Sequence, residues 1–311
     1  MTVLALSGGV GGAKLALGLS RVLSPEELTI VANTGDDFNH LGLSISPDID
    51  TLVYTLAGLA NRDLGWGRGD ETWSFMETVA TLGGETWFRL GDRDLAMHVE
   101  RTRRLRAGET LSEITADIAR RLGIEARILP MSDGHLRTRV RSAACWLDFQ
   151  DYFVRHRCEP VVEELAFIGD GQPQPAFLAL LADPALSEVV ICPSNPFISV
   201  EPILSLPGVR AALQACRAPI VAVSPIIAGR AVKGPTAKMM AEMGLTPSAR
   251  GVADWYGDLL DVYIVDHADA ASMGGAPVQV IAAKTLMQTL EDREALARVV
   301  LDAASSALEQ G

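Results

Sequence analysis

The sequence predicts an α/β fold: a Rossmann-like, doubly wound and mainly parallel sheet with an inserted, mostly helical region. Short apolar runs typical of buried strands alternate with amphipathic helical patterns at the start of the chain, and the same alternation returns from Ser187 onward. Between these two parts the alternation is interrupted and helical patterns dominate. We therefore assign residues 1–60 and 171–311 to the core and residues 61–170 to the insertion.

The first part of the core contains two strands and two helices. VLALS is the first strand and is followed by a helix from Gly12 to Leu23, and LTIVAN (28–33) is a second buried strand that leads into the polar turn TGDDFNH. The apolar helix DTLVYTLAGL comes next. Either Asp48 or Asp50 is expected to cap its N-terminus.

The second part of the core repeats this pattern. SEVVIC, APIVAVSPII, LDVYIVD and VQVIAAK are predicted strands, and the helices GVRAALQAC, TAKMMAEMG and DREALARVVLDAASSALEQ lie among and after them. The insertion contains the helical patterns ETWSFMETVATL and TLSEITADIARRLG. The second begins with a capping box formed by Thr110 and Glu113.

Composition limits the function. The chain has 311 residues and no apolar stretch long enough to cross a membrane, and a net charge of −12 argues against a nucleic-acid partner. The four cysteines have scattered spacings that fit neither a metal site nor a disulfide framework. The first residues lack a basic region and are predicted to be a strand, not a signal peptide. We expect a cytoplasmic protein without a membrane partner.

The stretch LSGGVGGAKLALGL brings a strand into a glycine-rich turn and then a helix, which is the usual arrangement for binding phosphate through backbone N–H groups. Gly8, Gly9, Gly11 and Gly12 form the turn, and Lys14 follows it. The dinucleotide motif G-x-G-x-x-G fails because Lys14 occupies the third glycine position. The P-loop motif fails because the lysine has neither a glycine before it nor a hydroxyl residue after it. A tight turn without a ligand is the alternative.

Ligands of such sheets bind beyond the carboxyl ends of the strands, so the turns at those ends define the candidate site. They are residues 8–12, 34–40 together with 46–50, 193–196, and 224–235. Helix ends need glycine, proline, serine and asparagine in any case, so no single turn is decisive.

Carboxylates and arginines supply the charges of this candidate site. Asp48 and Asp50, and also Asp36 and Asp37, come close to strand ends, and Mg²⁺ prefers one or two carboxylates together with phosphate oxygens and waters. Arg89 and Arg93 flank a turn with the sequence LGD, where they are well placed to meet an anion. The run from 101 to 106 is typical of a solvated helix face.

Several stretches together resemble one family. LSGGVGGAKLALGL, NTGDDFNHLGLSISPDIDTLVYTLAG, RLGDRD, ILPMSD, PSNPFISVEPILSLPG, AVSPIIAGRAVKGPTAKMM and GVADWYGDLLDVYIVD are similar, in this order, to the 2-phospho-L-lactate transferase family of coenzyme F420 biosynthesis. The resemblance implies transfer of a phospho-three-carbon acid, as enolpyruvyl or lactyl phosphate, from its guanosine diphosphate conjugate to the ribityl hydroxyl of the deazaflavin Fo. GMP then leaves and (dehydro) coenzyme F420-0 forms. Mg²⁺ and a homodimer are also implied.

The resemblance also assigns roles to residues. Asp50 and Arg89 match family positions that contact the deazaflavin, and Asp50 would accept a hydrogen bond from the ribityl hydroxyl or assist its deprotonation as the catalytic residue. A plain helix N-cap is the alternative for Asp50. Asp48 as the magnesium ligand is our own inference. Ser194 and Asn195 would contact the guanosine half of the donor, and the glycine turn would hold its phosphates. Lys14 would add a positive charge at these phosphates, with a solvent-facing side chain as the alternative.

The tryptophans of the insertion, at 66, 73 and 87, stack on the deazaflavin or belong to ordinary core packing.

Two other classes of protein compete with the transferase. A related family of nucleotide-sugar-binding regulators has a similar architecture without catalysis, but its usual GGGTG opening is replaced here by SGGVGG. A nicotinamide dehydrogenase is disfavoured because the third glycine is missing and because Asn33, not an acidic residue, ends the second strand.

Overall fold

A computed structural model describes residues 1–61, 66–143 and 145–308 of the chain. Its strands, numbered along the chain, are β1 (Thr2–Ser7), β2 (Leu28–Ala32), β3 (Phe38–His40), β4 (Leu43–Ile45), β5 (Arg127–Pro130), β6 (Leu136–Ser142), β7 (Cys145–Asp148), β8 (Glu164–Gly169), β9 (Leu186–Ile191), β10 (Ile220–Val223), β11 (Ile226–Ile227), β12 (Arg230–Ala231), β13 (Val262–Asp266) and β14 (Gln279–Ala283).

The α-helices are α1 (Gly9–Val22), α2 (Pro47–Leu56), α3 (Ser74–Thr81), α4 (Asp92–Arg106), α5 (Leu111–Arg121), α6 (Pro175–Leu181), α7 (Glu201–Leu204), α8 (Val209–Ala215), α9 (Thr236–Glu242), α10 (Ala249–Tyr256) and α11 (Leu290–Leu308). Two short π-helical segments cover Asp151–Arg155 and Pro196–Val200. None of the helices in the described ranges combines the length and the apolar character needed to cross a bilayer.

Seven strands form the central sheet in the order β14-β13-β10-β9-β1-β2-β5, and every pairing in it is parallel. Successive residues of β1 face opposite sides of this sheet. Val3 and Ala5 belong to the core under α1 and α11, whereas Leu4 and Leu6 belong to the core on the other face. The two apolar layers confirm the predicted doubly wound α/β fold.

The insertion contains more strand than the sequence predicts. β5 forms the outer edge of the central sheet by pairing with β2, and β6, β7 and β8 form a separate antiparallel sheet. β5 is difficult to detect because it is only four residues long. In β6 the residues that face away from the core are arginines. Charged residues therefore alternate along this strand with apolar or small ones. Helices α3 and α5 lie within the two predicted helical patterns, and α4 covers the charged run and the residues before it.

Two helix starts differ from the prediction, and both lie at the candidate site. α1 begins at Gly9 and not at Gly12, so the glycines form its first turn. α2 begins at Pro47 with Ser46 in the N-cap position, because proline is favourable at the first helical position. Neither Asp48 nor Asp50 is therefore the N-cap residue. The expectation of an N-cap at these positions was wrong, and both carboxylates are available for other contacts.

Candidate active site

A cleft of about 890 Å³ lies at the carboxyl ends of the parallel strands. Its floor is formed by the turns after β1, β2, β9, β10 and β14, and its walls come from two segments of the insertion. The strand after β1 in the chain, β2, lies on one side of the β9–β1 pair, and the strand after β9, β10, lies on the other. The cleft therefore lies at the topological switch point, where open α/β sheets bind ligands. Its volume is at the upper end of the range for small-molecule sites.

The glycines of the first turn allow α1 to pack closely against the turn after β9. A Cβ atom at Gly11 would lie 2.2 Å from the Pro193 carbonyl oxygen, and one at Gly12 would lie 2.6 Å from the Ser194 hydroxyl. Gly8 and Ser194 are joined twice: the Gly8 N–H donates to Ser194 Oγ at 3.2 Å, and that hydroxyl donates to the Gly8 carbonyl at 2.8 Å. The residues 8, 9 and 11 line the cleft, whereas 12 does not. Backbone groups therefore form this part of the surface.

Lys14, Ser194 and Asn195 also line the cleft. Lys14 Nζ donates to the Met287 carbonyl at 2.9 Å, and burial, followed by the nearby Arg293, lowers the pKa of the ammonium. The Asn195 side-chain oxygen accepts hydrogen bonds from the first turn of the π-helical segment 196–200, so Asn195 is its N-cap. Its amide nitrogen is directed toward Met239 Sδ at 3.7 Å. The assignment of these three residues to the donor stays a prediction.

Two buried carboxylates lie beside the glycine turn. Asp48 accepts from the Gly9 N–H at 2.8 Å and from Asn33 Nδ2 at 2.9 Å, and burial raises its pKa to about 6. Asp36 is buried, and its Oδ1 has no hydrogen-bond partner in the described part of the chain. Burial, followed by the charge of Asp48, raises the pKa of Asp36 well above its ordinary value. Two carboxylates held close together with an unpaired oxygen form a suitable donor set for a cation.

Asp50 lines the same cleft and forms a buried ion pair that sequence reasoning missed. Arg101 Nη1 donates to Asp50 Oδ2 at 3.1 Å, and Nη2 donates to Oδ1. Arg101 belongs to the charged run that resembled a solvated face, yet it is only 1% exposed. The two-pronged contact fixes the plane of the carboxylate.

A chain of polar side chains continues from this pair along α4. His98 Nδ1 lies 3.7 Å from Asp50 Oδ2, and its Nε2 lies 3.1 Å from Asp94 Oδ2. The Tyr54 hydroxyl donates to Asp94 Oδ1 at 2.5 Å. Asp94, His98 and Arg101 are four and three residues apart, which places them on one face of a helix. That spacing is the sequence signal that could have revealed the buried face of the charged run.

The structure separates the two arginines that flank the LGD turn. The Arg89 guanidinium lines the cleft and lies over the Trp73 ring, 3.9 Å from its centroid. Arg93 is exposed and is not among the residues that line the cleft. Trp66 and Trp87 line the cleft, whereas Trp73 lies beneath the arginine.

Another segment of the insertion forms the opposite wall, and no motif or local pattern in the sequence indicates it. Its cleft-lining residues are Phe149, Gln150, Phe153, Val154 and Arg157. Arg155 joins this wall to the wall that carries Trp87 and Arg89. Its guanidinium lies 3.3 Å from Glu85 Oε1 and 4.4 Å from the centroid of the Trp87 ring.

Comparisons with known proteins show the family of this chain. The family model described as 2-phospho-L-lactate transferase CofD matches residues 3–301. A phosphoenolpyruvate transferase of Kitasatospora aureofaciens is 39% identical over 96% of this chain and 95% of its own length. A 2-phospho-L-lactate transferase of Methanosarcina mazei is 38% identical over 96% of this chain and 98% of its own.

The fold has also been seen in a crystal structure. A member of the UPF0052 family from Bacillus halodurans superposes with a TM-score of 0.64 at 14% identity, covering 96% of this chain and 98% of that one. At this identity the likeness shows the fold alone. The match over nearly the whole length is what settles the family: this chain belongs to the 2-phospho-L-lactate transferase CofD family.

Proposed function

We propose that this protein is the transferase of coenzyme F420 biosynthesis that joins a phospho-three-carbon acid to the deazaflavin Fo. The donor is the guanosine diphosphate conjugate of phosphoenolpyruvate or 2-phospholactate. The terminal ribityl hydroxyl of Fo attacks the phosphorus that carries the acid, a phosphodiester forms, and GMP leaves. Relatives named for each of the two acids have nearly equal identity to this chain, so both donors belong to the proposal.

The diphosphate of the donor fits the glycine turn. Transfer of a phosphoryl-type group depends mainly on in-line positioning and neutralisation of charge, and backbone N–H groups at a helix N-terminus provide both. The N–H groups of Gly8 and Gly9 already donate to side chains, so the phosphates would meet the backbone at Val10 and Gly11, which line the cleft in the first turn of α1. Lys14 lies one turn further along. The guanosine half would lie against the turns at 193–196 and 224–235, which line the adjoining part of the cleft.

Mg²⁺ fits the carboxylates beside that turn. Asp48 would hold the ion, and Asp36, with its unpaired buried oxygen, is the second carboxylate in reach of the same part of the cleft. Within the described ranges no three His, Cys, Asp or Glu side chains converge into a complete metal site. This fits a magnesium ion that takes its remaining ligands from phosphates and waters. When bound, the ion would neutralise charge on the transferred group.

The deazaflavin would occupy the part of the cleft between the two walls of the insertion. Aromatic side chains from both walls, including Trp87 and Phe153, offer surfaces for a planar ring. Arg89 would bind a carbonyl or phosphate oxygen, and Asp50 would accept the hydrogen bond of the ribityl hydroxyl. Arg93 lies outside this arrangement, so its assignment to an anion stays a separate prediction. We also propose that the enzyme is cytoplasmic and forms a homodimer. A measurement of mass in solution tests the dimer.

One observation carries the proposal: the glycine turn, buried carboxylates suited to a cation, and a fixed Asp50 all line one cleft at the switch point of the sheet. The test is to incubate the protein with Mg²⁺, Fo, GTP, the guanylyltransferase that makes the labile donor, and one three-carbon acid at a time. We expect GMP and a negatively charged deazaflavin product by chromatography. Absence of product with every acid would refute the transferase.

A further inference from the structure

We propose that Arg101 is a positioning residue for the transfer reaction, which acts by holding the Asp50 carboxylate in the orientation that receives the acceptor hydroxyl. This inference rests on the function proposed above. Arg101 is not among the residues that line the cleft, whereas Asp50 is. Any effect of the arginine on the reaction must therefore pass through the cleft-lining residues that it contacts, and Asp50 is the one that accepts from both guanidinium branches.

The contact constrains Asp50 more than a single hydrogen bond would. Both guanidinium branches engage the carboxylate, one oxygen each, so rotation of the carboxylate breaks at least one bond. An ionised carboxylate has about four lone-pair sites, so the pair leaves acceptor positions free toward the cleft. Asp50 is thereby presented to a substrate as an oriented acceptor.

The arginine is itself held from several sides. Its Nη1 lies 3.4 Å from the Ser44 carbonyl in β4 and 3.3 Å from His98 Nδ1 on its own helix. The next residue, Thr102, fastens the same turn of α4 to β4, because the Ser44 N–H donates to its hydroxyl at 2.8 Å. The guanidinium therefore has little freedom to follow Asp50 if the carboxylate moves.

A purely stabilising role does not account for this arrangement. Burying an arginine and a carboxylate together gives little net stability, because desolvation offsets their attraction. The pair also distinguishes Asp50 from the neighbouring carboxylate of Asp48. Within the described ranges Asp48 accepts from two neutral groups, the Gly9 N–H and the Asn33 amide, so its charge stays available to a cation. Both oxygens of Asp50 accept from a guanidinium, so this carboxylate is instead held in one orientation.

The test compares Arg101→Ala and Arg101→Lys with the wild type in the assay described above. Displacement of a reacting group by about 1 Å can lower a rate about 100-fold, and we expect a fall of that size in kcat for Arg101→Ala, with KM for the guanosine donor unchanged. Millimolar guanidinium, far below denaturing concentrations, should restore at least a tenth of the lost rate. Arg103→Ala is the matched control, since Arg103 lies on the same helix in an exposed ion pair with Glu100.

A rate in folded Arg101→Ala equal to that of the wild type would overturn the inference. So would a loss that guanidinium does not reverse, because a general loss of structure is not repaired by a small cation. If Arg101→Ala does not fold, Arg101→Lys is the deciding variant, because lysine keeps the charge but not the paired contact. A fall in its kcat at an unchanged thermal midpoint supports the inference. An unchanged kcat refutes it. Failure of the wild type to turn over any donor is the separate result that rejects the proposed function.

Discussion

Replacing Gly11 by alanine tests whether the glycine turn exists for close backbone approach. The added Cβ would lie 2.2 Å from the Pro193 carbonyl oxygen, whereas ordinary contacts begin near 3.4 Å. The start of α1 and the turn after β9 would therefore have to separate by about 1 Å. The obstructing atom belongs to the backbone, so no side-chain rotation can relieve the contact.

The two energetic terms have opposite signs. Alanine in place of glycine inside a helix contributes about 1 kcal/mol of stability through intrinsic propensity. Forcing extra volume into a packed region costs about 1–3 kcal/mol. Because the clash is severe and involves backbone, we expect the second term to exceed the first, with a net loss of up to about 2 kcal/mol in the free energy of unfolding.

The assay is urea unfolding of Gly11→Ala beside Gly274→Ala, combined with measurement of KM for the guanosine donor. Gly274 has φ −53° and open space around its Cβ position, so alanine there should be close to neutral. We expect the donor KM to rise about tenfold in Gly11→Ala, which corresponds to about 1.4 kcal/mol of lost binding. A variant as stable as the wild type, with unchanged donor KM, would refute the close-approach explanation.

Three further predictions follow from other residues. Arg89→Ala should raise the Fo KM about tenfold with little change in thermal midpoint, since its side chain is exposed in the cleft; a Fo titration equal to that of Arg103→Ala would remove this contact. Asp48→Asn should raise the Mg²⁺ concentration needed for half-maximal turnover, measured by titration after EDTA treatment, and an unchanged requirement would assign the ion elsewhere. The Glu188 carboxyl has no hydrogen-bond partner among the residues that the structure describes, and burial raises its pKa from 4.5 to about 8, so the folded protein binds the proton more tightly than the unfolded chain. Stability should then fall by up to about 5 kcal/mol as pH rises from 4.5 to 8, while Glu188→Gln should lack this slope in urea unfolding at pH 5 and 8; parallel curves would contradict the assignment.

The core of the fold could be predicted because its signals are local. Apolar strands, amphipathic helices and glycine turns occur in order, and the parallel sheet follows from their alternation. The rule that ligands bind at the carboxyl ends of strands correctly placed the glycine turn, Asp48 and Asp50 in one cleft. The glycine turn lies directly after β1, where topology fixes its position, whereas Asp48 and Asp50 lie in the first turn of α2, which follows the hairpin of β3 and β4.

The rest of the candidate site depends on tertiary packing that no local pattern encodes. Arg101 lies in a run of charges that resembles a solvated surface, and only the packing of α4 on β4 turns that residue inward. The wall around Phe153 follows the antiparallel sheet of β6, β7 and β8, and in β6 arginines alternate with small or apolar residues. Side chains contributed by a distant segment can be recognised from sequence only when their spacing repeats, as it does for Asp94, His98 and Arg101.

The edge position of β5 limits how this chain can be shortened. Excision of residues 61–170 as a removable module would also delete a strand that pairs with β2 along residues 127–130. The N–H and C=O groups of β2 on that side would then lose their partners and become available to other molecules, a common route to aggregation. Any minimal version of the enzyme has to keep the segment that carries β5, so the insertion and the core form one cooperative unit in chain design.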